Sequence, residues 1–362
     1  MIRESTVHAM KKEVSRAKNA SIVVGVTKNS KREYIGMLEN GNARADTKLG
    51  DLYYEIGSTT KTFTSLLLAK LITENVVSLD DPVSKYKPAY KQALTYKGKE
   101  VTFRHLATHT SGLPREDMKT IRKQLKENKE RKNNPYKDFS PDDLDRFFTN
   151  YKMKREIGKK FVYSNIGIGL LANTIADIFG MTYEEAIKAQ ILEPLRMNDT
   201  FINVDESHLD RYVKAYDKKG KLVPPIELPA INGAGAIKST MNDMLTYVEH
   251  QIGLNESPLQ EAIALTHEGQ AVNPSKHLDM GLCWMIENKK WADTPVIHHG
   301  GTTVGFHTYC GFMKEHKIGI VIFSTIQIPA IRLIKMIVGL EELVNVAIAD
   351  AIFKYHLPYI KS

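Results

Sequence analysis

The chain has 362 residues, 42% of them hydrophobic and 25% charged, with a formal net charge of +8 and two cysteines. This is ordinary globular composition, long enough to bury a core without staples, and it excludes disordered, collagen-like and repeat architectures. Two cysteines, Cys283 and Cys310, are too few for a disulfide framework or a four-thiolate zinc site, which leaves two buried thiols or one bond between them.

The positive excess is spread along the chain. Its densest run, Lys119 to Lys137, is interrupted by Glu127 and Glu130 and holds one aromatic residue, Tyr136. That pattern reads as a solvated helix and loop, so no nucleic-acid partner is expected. The first twenty residues have no apolar core and so do not read as a signal peptide, and no stretch approaches the roughly 20 apolar residues of a spanning helix. As given, the chain is expected in the cytoplasm, or in the periplasm or outside the cell if a leader has been trimmed.

In chain order, residues 4–18 read as a helix. Residues 21–27 and 32–38 read as strands joined by the turn Lys28-Asn29-Ser30-Lys31, and 51–56 as a third strand ended by Gly57. Ser58 opens a strong helix as its capping residue, and the nearly apolar surface from Leu66 to Leu71 predicts that this helix is buried. The middle is mainly helix and loop. It has short helices over 102–108 and 141–150, a long apolar helix over 165–179 closed by Gly180, and another over 182–191 with a Thr182/Glu185 capping box. Strand signals return at 281–287, 295–298, 305–313 and 318–324, and a helix over about 330–353 ends the chain. Strands, helical middle, strands and helix imply one α/β (α+β) domain over 1–362. Its sheet is built from both chain ends (about 1–75 and 233–362), with a helical lobe at about 76–232.

Three motifs carry chemistry. Ser58-Thr59-Thr60-Lys61 is an S-x-x-K; three residues apart on a helix, Ser58 and Lys61 share one face. A serine hydroxyl needs a base, a nearby lysine can supply one, and the N-terminal end of the helix suits a developing oxyanion. Alone, the motif equally describes a capping serine and a solvent lysine, but a lysine entering a buried helix is costly without a task. Tyr163-Ser164-Asn165 opens the long apolar helix; Tyr163 can relay a proton, and Asn165 can orient Lys61 and donate to a substrate carbonyl. His298-His299-Gly300-Gly301-Thr302 lies between strand signals. Its glycines allow close backbone approach, and Thr302 N–H can be a second oxyanion donor. A zinc site built on His298, His299 and His307 lacks the expected spacings, so neither metal nor cofactor is called for. Ser111, in His109-Thr110-Ser111-Gly112-Leu113, lacks a nucleophile-elbow context and reads as a structural loop.

S-x-x-K, Y-x-N about a hundred residues later and a basic residue with glycine on a late strand together resemble the penicillin-recognising serine hydrolases. The likeness is closest to class C β-lactamases and the related esterases and D-aminopeptidases. Val77 to Tyr86, Val101 to Pro114, Gly180 to Thr200 and Gly233 to Asp243 also look similar, so the resemblance spans about residues 50–325. It implies a β-lactamase/transpeptidase-like fold and an acyl-enzyme mechanism on an ester, amide or lactam of a small molecule or short peptide. Ser58 would attack, Lys61 and Tyr163 would share the proton transfers, and Ser58 and Thr302 N–H would hold the oxyanion. Where efficient β-lactamases and D,D-peptidases of the family usually carry Lys-Thr-Gly, this chain has His299-Gly300-Gly301. An imidazole is a weaker handle for a penicillin carboxylate than lysine, which favours an esterase or a peptidase acting on D-residues. A true β-lactamase, a D,D-carboxypeptidase and a non-catalytic sensor domain remain the alternatives, and oligomeric state is not legible.

Overall fold

The computed structural model describes residues 2–16, 19–37, 43–44, 47–217, 219–327 and 343–357. Its main feature is an eight-stranded antiparallel sheet. Chain-order labels are β1 (Ile22–Lys28), β2 (Lys31–Met37), β3 (Ala43–Arg44), β4 (Leu278–Met280), β5 (Met285–Glu287), β6 (Val296–Thr302), β7 (His307–Met313) and β8 (Ile318–Ser324). Spatial order is β4-β5-β6-β7-β8-β1-β2-β3, so β1 pairs with β8 and joins the two chain ends, as the element order implied.

The β1–β2 hairpin turns on Asn29 and Ser30, both in the left-handed region (φ 50° and 63°), the conformation a two-residue hairpin loop demands. β1 and β8 read as unbroken apolar runs because both faces of the sheet are covered. Ile22, Val24, Val26, Ile320 and Ile322 face one core, shared with α1 (Glu4–Val14) and the C-terminal helix, while Val23, Val321 and Phe323 face the larger core on the other side. Period-two alternation thus sends each strand's side chains into two different cores.

The larger core surrounds α2 (Thr60–Thr73), in which every residue from Thr60 to Ala69 is buried. Two further helices matter for the site: α3 (Asn165–Phe179), closed by Gly180 at φ 67°, and α4 (Met241–Ile252), capped by Thr240 and packed on the sheet. Helix α4 went unrecognised in the sequence. The last helix is α5 (Val344–His356); the earlier part of the expected 330–353 helix falls largely outside the described residues. Among the described residues no single helix is long and apolar enough to cross a membrane.

Four expectations change. The 51–56 strand is shorter, Tyr53–Glu55, and belongs to a separate three-stranded sheet with Lys238–Thr240 and Thr200–Phe201. The 281–287 run is not one strand: Cys283 at φ 59° breaks it, so only Met285–Glu287 pairs, and Cys283 is a buried free thiol in a turn. Cys310 on β7 is also free and buried. The 295–298 strand runs on through the glycines to Thr302, because β7 pairs with it that far, which agrees with the late strand the resemblance implied. The α2 helix begins later than expected, which bears directly on Ser58.

Candidate active site

Ser58 lies in a one-turn 3-10 helix, Gly57–Thr59, that runs into α2. A capping serine stands outside its helix in extended conformation; Ser58 is already inside a helical turn and caps nothing. Its Oγ is instead 3.1 Å from Lys61 Nζ, which donates to it. The turn is possible because Gly57 takes φ 51°, and a Cβ there would sit 2.8 Å from Thr302 N. The same glycine therefore makes the bend and lets β6 approach the serine.

Lys61 is fully buried. Its Nζ also donates to Ala234 O at 2.5 Å and stands 4.9 Å from the centre of the Tyr163 ring. An amine one turn from a hydroxyl, held by a carbonyl on its far side, can exchange a proton with that hydroxyl. Tyr163 is packed between His109, at 4.4 Å between ring centres, and the Arg115 guanidinium, 5.2 Å from the ring. Asn165 departs from its expected role. Its Nδ2 donates to Glu116 Oε1 at 3.0 Å rather than touching Lys61, and its Oδ1 is buried without a partner. The backbone of the His109–Arg115 loop positions this face, since Asn165 N donates to Arg115 O and Ser164 Oγ to Pro114 O.

β6 closes the site from the sheet side. Gly301 is pressed so closely on the turn that a Cβ would lie 1.9 Å from Ile56 O, and Thr308 Oγ1 donates to the same carbonyl at 2.9 Å. Thr302 is exposed, with its backbone nitrogen against Gly57. The Thr302 backbone thus lies against the turn that carries Ser58.

His299 is buried on the cavity wall, and its Nδ1 lies 2.7 Å from Gly300 O. A carbonyl only accepts, so Nδ1 carries the proton and Nε2 presents a lone pair; that Nε2 is buried and has no partner. Burial, then the Lys61 charge, pushes the imidazole down to about 3, so it is neutral. His109 is the complementary tautomer: Nδ1 accepts from Ser164 N–H at 3.2 Å, leaving Nε2–H unpartnered. Burial and Lys61 hold it well below the usual 6.5. His298 and His307 are engaged elsewhere, with Glu287 Oε2 and Thr302 Oγ1, both at 3.1 Å, so the three histidines do not converge on a metal position.

Ser58, Tyr163, His299, Gly301 and Thr302 line one cavity of about 400 Å³. Arg115, Met285 and Asn345 line it too; the Asn345 amide is fixed by donating to His307 O at 3.0 Å. Sequence reasoning missed His109, Glu116, Ala234 and Asn345. His109 and Ala234 do fall in segments that carry the family resemblance, Val101 to Pro114 and Gly233 to Asp243, but nothing in either segment singles them out by residue. Ser111 is buried, its Oγ accepting from Leu113 N at 3.4 Å, and it does not line the cavity.

A family profile described as Beta-lactamase matches residues 8–334. A β-lactamase of Pseudomonas fluorescens is 28% identical over 354 residues, 87% of this chain and 91% of that protein. The D-alanyl-D-alanine-carboxypeptidase/endopeptidase AmpH of Escherichia coli is 29% identical over 307 residues, 82% of this chain and 76% of that one. Among solved structures, a class C β-lactamase from Rhodobacter sphaeroides is similar with a TM-score of 0.75 at 22% identity, covering 97% of this chain and 100% of the other. The chain therefore belongs to the β-lactamase family of penicillin-recognising serine hydrolases, on a class C-type fold.

Proposed function

We propose that the protein hydrolyses esters or amides that present no carboxylate to His299, as an esterase or D-amino-acid peptidase, through an acyl-enzyme on Ser58. For this step Lys61 first releases one ammonium proton to solvent, keeps one N–H on Ala234 O and turns the freed lone pair to the Ser58 hydroxyl, taking its proton as Oγ attacks the carbonyl carbon. The oxygen that becomes negative is held by the N–H groups of Ser58 and Thr302. The proton passes by way of Tyr163 to the leaving alcohol or amine. Water then attacks the acyl carbon; its proton passes through Tyr163 and Lys61 to Oγ as the C–Oγ bond breaks, which releases the acid and regenerates Ser58.

The observation that carries the substrate class is His299. A neutral imidazole with an unpartnered Nε2 lone pair accepts hydrogen bonds and offers no charge to a carboxylate. A second reading, β-lactamase or D,D-carboxypeptidase, draws on the names of the relatives and on Arg115, a cation on the cavity wall.

Hydrolysis of a short-chain nitrophenyl ester and of D-amino-acid amides by wild type and Ser58→Ala, beside nitrocefin and a D-Ala-D-Ala peptide, tests both readings. Turnover of ester or amide by wild type only is expected, with nitrocefin much slower. Nitrocefin or D-Ala-D-Ala as the best substrate would replace the first reading by the second. Equal ester turnover by Ser58→Ala would remove Ser58 from the mechanism.

A further inference from the structure

His109 is 1% exposed and lies in the left-handed region at φ 58°, a conformation uncommon for residues other than glycine. Such a conformation persists only where surrounding contacts impose it, and it gathers at functional sites. The contacts of His109 converge on one short segment. Residues 161–164 form neither helix nor strand, so their backbone N–H groups need partners from elsewhere. Val162 N donates to His109 O at 2.7 Å, and Ser164 N donates to His109 Nδ1 at 3.2 Å. The backbone N–H groups on either side of Tyr163 are thus both held by one residue.

The imidazole adds a third contact. It lies against the Tyr163 ring, 4.4 Å between centres and 34° between planes, and meets Phe161 edge-on at 5.7 Å. The same Tyr163 ring has Lys61 Nζ 4.9 Å from its centre and lines the cavity with Ser58. Nδ1 can accept from Ser164 N only while the imidazole is neutral, and burial, then the Lys61 charge, keeps it so. Nε2–H is buried without a partner, so the side chain acts through Nδ1 and its ring face.

We infer that His109 is a positioning residue for the proton relay: its carbonyl and Nδ1 clamp the backbone on either side of Tyr163, and its ring face fixes the phenol beside Lys61. The inference rests on the Ser58 acyl-enzyme reading with Tyr163 as relay. A proton passes between groups only at hydrogen-bond distance, and a misplacement of about 1 Å can cost about 100-fold in rate. The two half-reactions differ in their need for the phenol. A nitrophenolate leaves as an anion and takes no proton, so acylation by a nitrophenyl ester proceeds with Lys61 alone. Deacylation moves the proton of the attacking water through Tyr163.

The test compares wild type, His109→Asn, Tyr163→Phe and the double variant. Asparagine tolerates the left-handed backbone and offers an acceptor, but has no ring. Each protein is measured for melting temperature, for first-turnover release of nitrophenolate (acylation) and for decay of the acyl-enzyme by mass spectrometry (deacylation). Expected for His109→Asn are a folded protein, first-turnover release nearly unchanged and deacylation slower by about 10-fold. The double variant is expected to deacylate no more slowly than Tyr163→Phe, because a residue that acts through the phenol has nothing left to position. If His109→Asn does not fold, His109→Phe, which keeps a ring and loses Nδ1, is carried through the same comparison with the same expectation. Deacylation at the wild-type rate, an equal loss with and without the Tyr163 hydroxyl, or an equal loss in both half-reactions overturns this inference alone. Tyr163→Phe deacylating like wild type removes the relay and the inference with it. A wild type that releases nitrophenolate no faster than Ser58→Ala overturns the acyl-enzyme reading itself.

Discussion

Lys61→Met replaces the proposed base by a chain of similar length and no charge. Two structural effects on stability oppose each other. Ala234 O loses the N–H at 2.5 Å that satisfied it, a cost of about 1–3 kcal/mol for a buried acceptor left unpaired. Against this, a side chain with no exposed surface no longer carries an ammonium into the core. The variant is therefore expected to stay folded, within about 2 kcal/mol of wild type. The rate effect has no such compensation, because Ser58 Oγ loses the partner 3.1 Å away. General-base assistance is worth about 10²–10⁴-fold, or about 3–5 kcal/mol of barrier. The assay is ester turnover beside a thermal melt, with the histidine rings followed by NMR. The ring signals give a check independent of activity. His299 and His109 are held down first by burial and then by the Lys61 charge, so removing that charge moves both upward. A folded Lys61→Met enzyme within about tenfold of wild-type turnover would refute the assignment of Lys61 as base.

Gly301→Ala is expected to destabilise by about 3 kcal/mol and to lose activity, since its Cβ would meet Ile56 O at 1.9 Å. Gly300→Ala, whose Cβ would find only Thr308 O at 3.4 Å, is the control and should cost under about 1 kcal/mol; equal melting temperatures for the two would contradict the close approach of β6. Stability should fall on acidification. His299 and His307 are pushed down by burial to about 3 and about 4, below an unfolded value near 6.5. Between those limits the unfolded chain binds the extra protons, so each group removes up to about 1.4 kcal/mol per pH unit as pH falls from about 6 to 5. Asp243, raised to about 6 mainly by burial, opposes this with one proton of its own. A melting temperature that is flat from pH 7 to 5 would show that these imidazoles are not buried as described.

Local signals were the legible ones. The Thr182 capping box, the Gly180 terminus of α3 and the β8 strand were read from neighbouring residues, because caps and apolar periodicity act within a few positions of the chain. Where the reading failed, a distant partner decided. Apolar residues from 281 to 287 looked like one strand, but Cys283 N donates to Ala107 O and Leu282 N to Thr266 O, which bends the segment away from the sheet. The Gly300-Gly301 pair, a turn signal by itself, is strand because β7 supplies its ladder.

The sequence alone determined the chemical cast: the Ser58–Lys61 spacing of one helical turn, Tyr163 at the mouth of an apolar helix, and a sheet made from both chain ends. These depend on the helical and strand repeats, which each segment carries within itself. Only the tertiary structure decided what surrounds that cast. It freed Ser58 from a capping role by placing a 3-10 turn at Gly57–Thr59 ahead of the later-starting α2, gave Asn165 to Glu116 instead of Lys61, and set His299 as a neutral acceptor. Each of these outcomes depends on which atoms of remote segments arrive within about 3 Å of one another, and no spacing along the chain encodes that meeting.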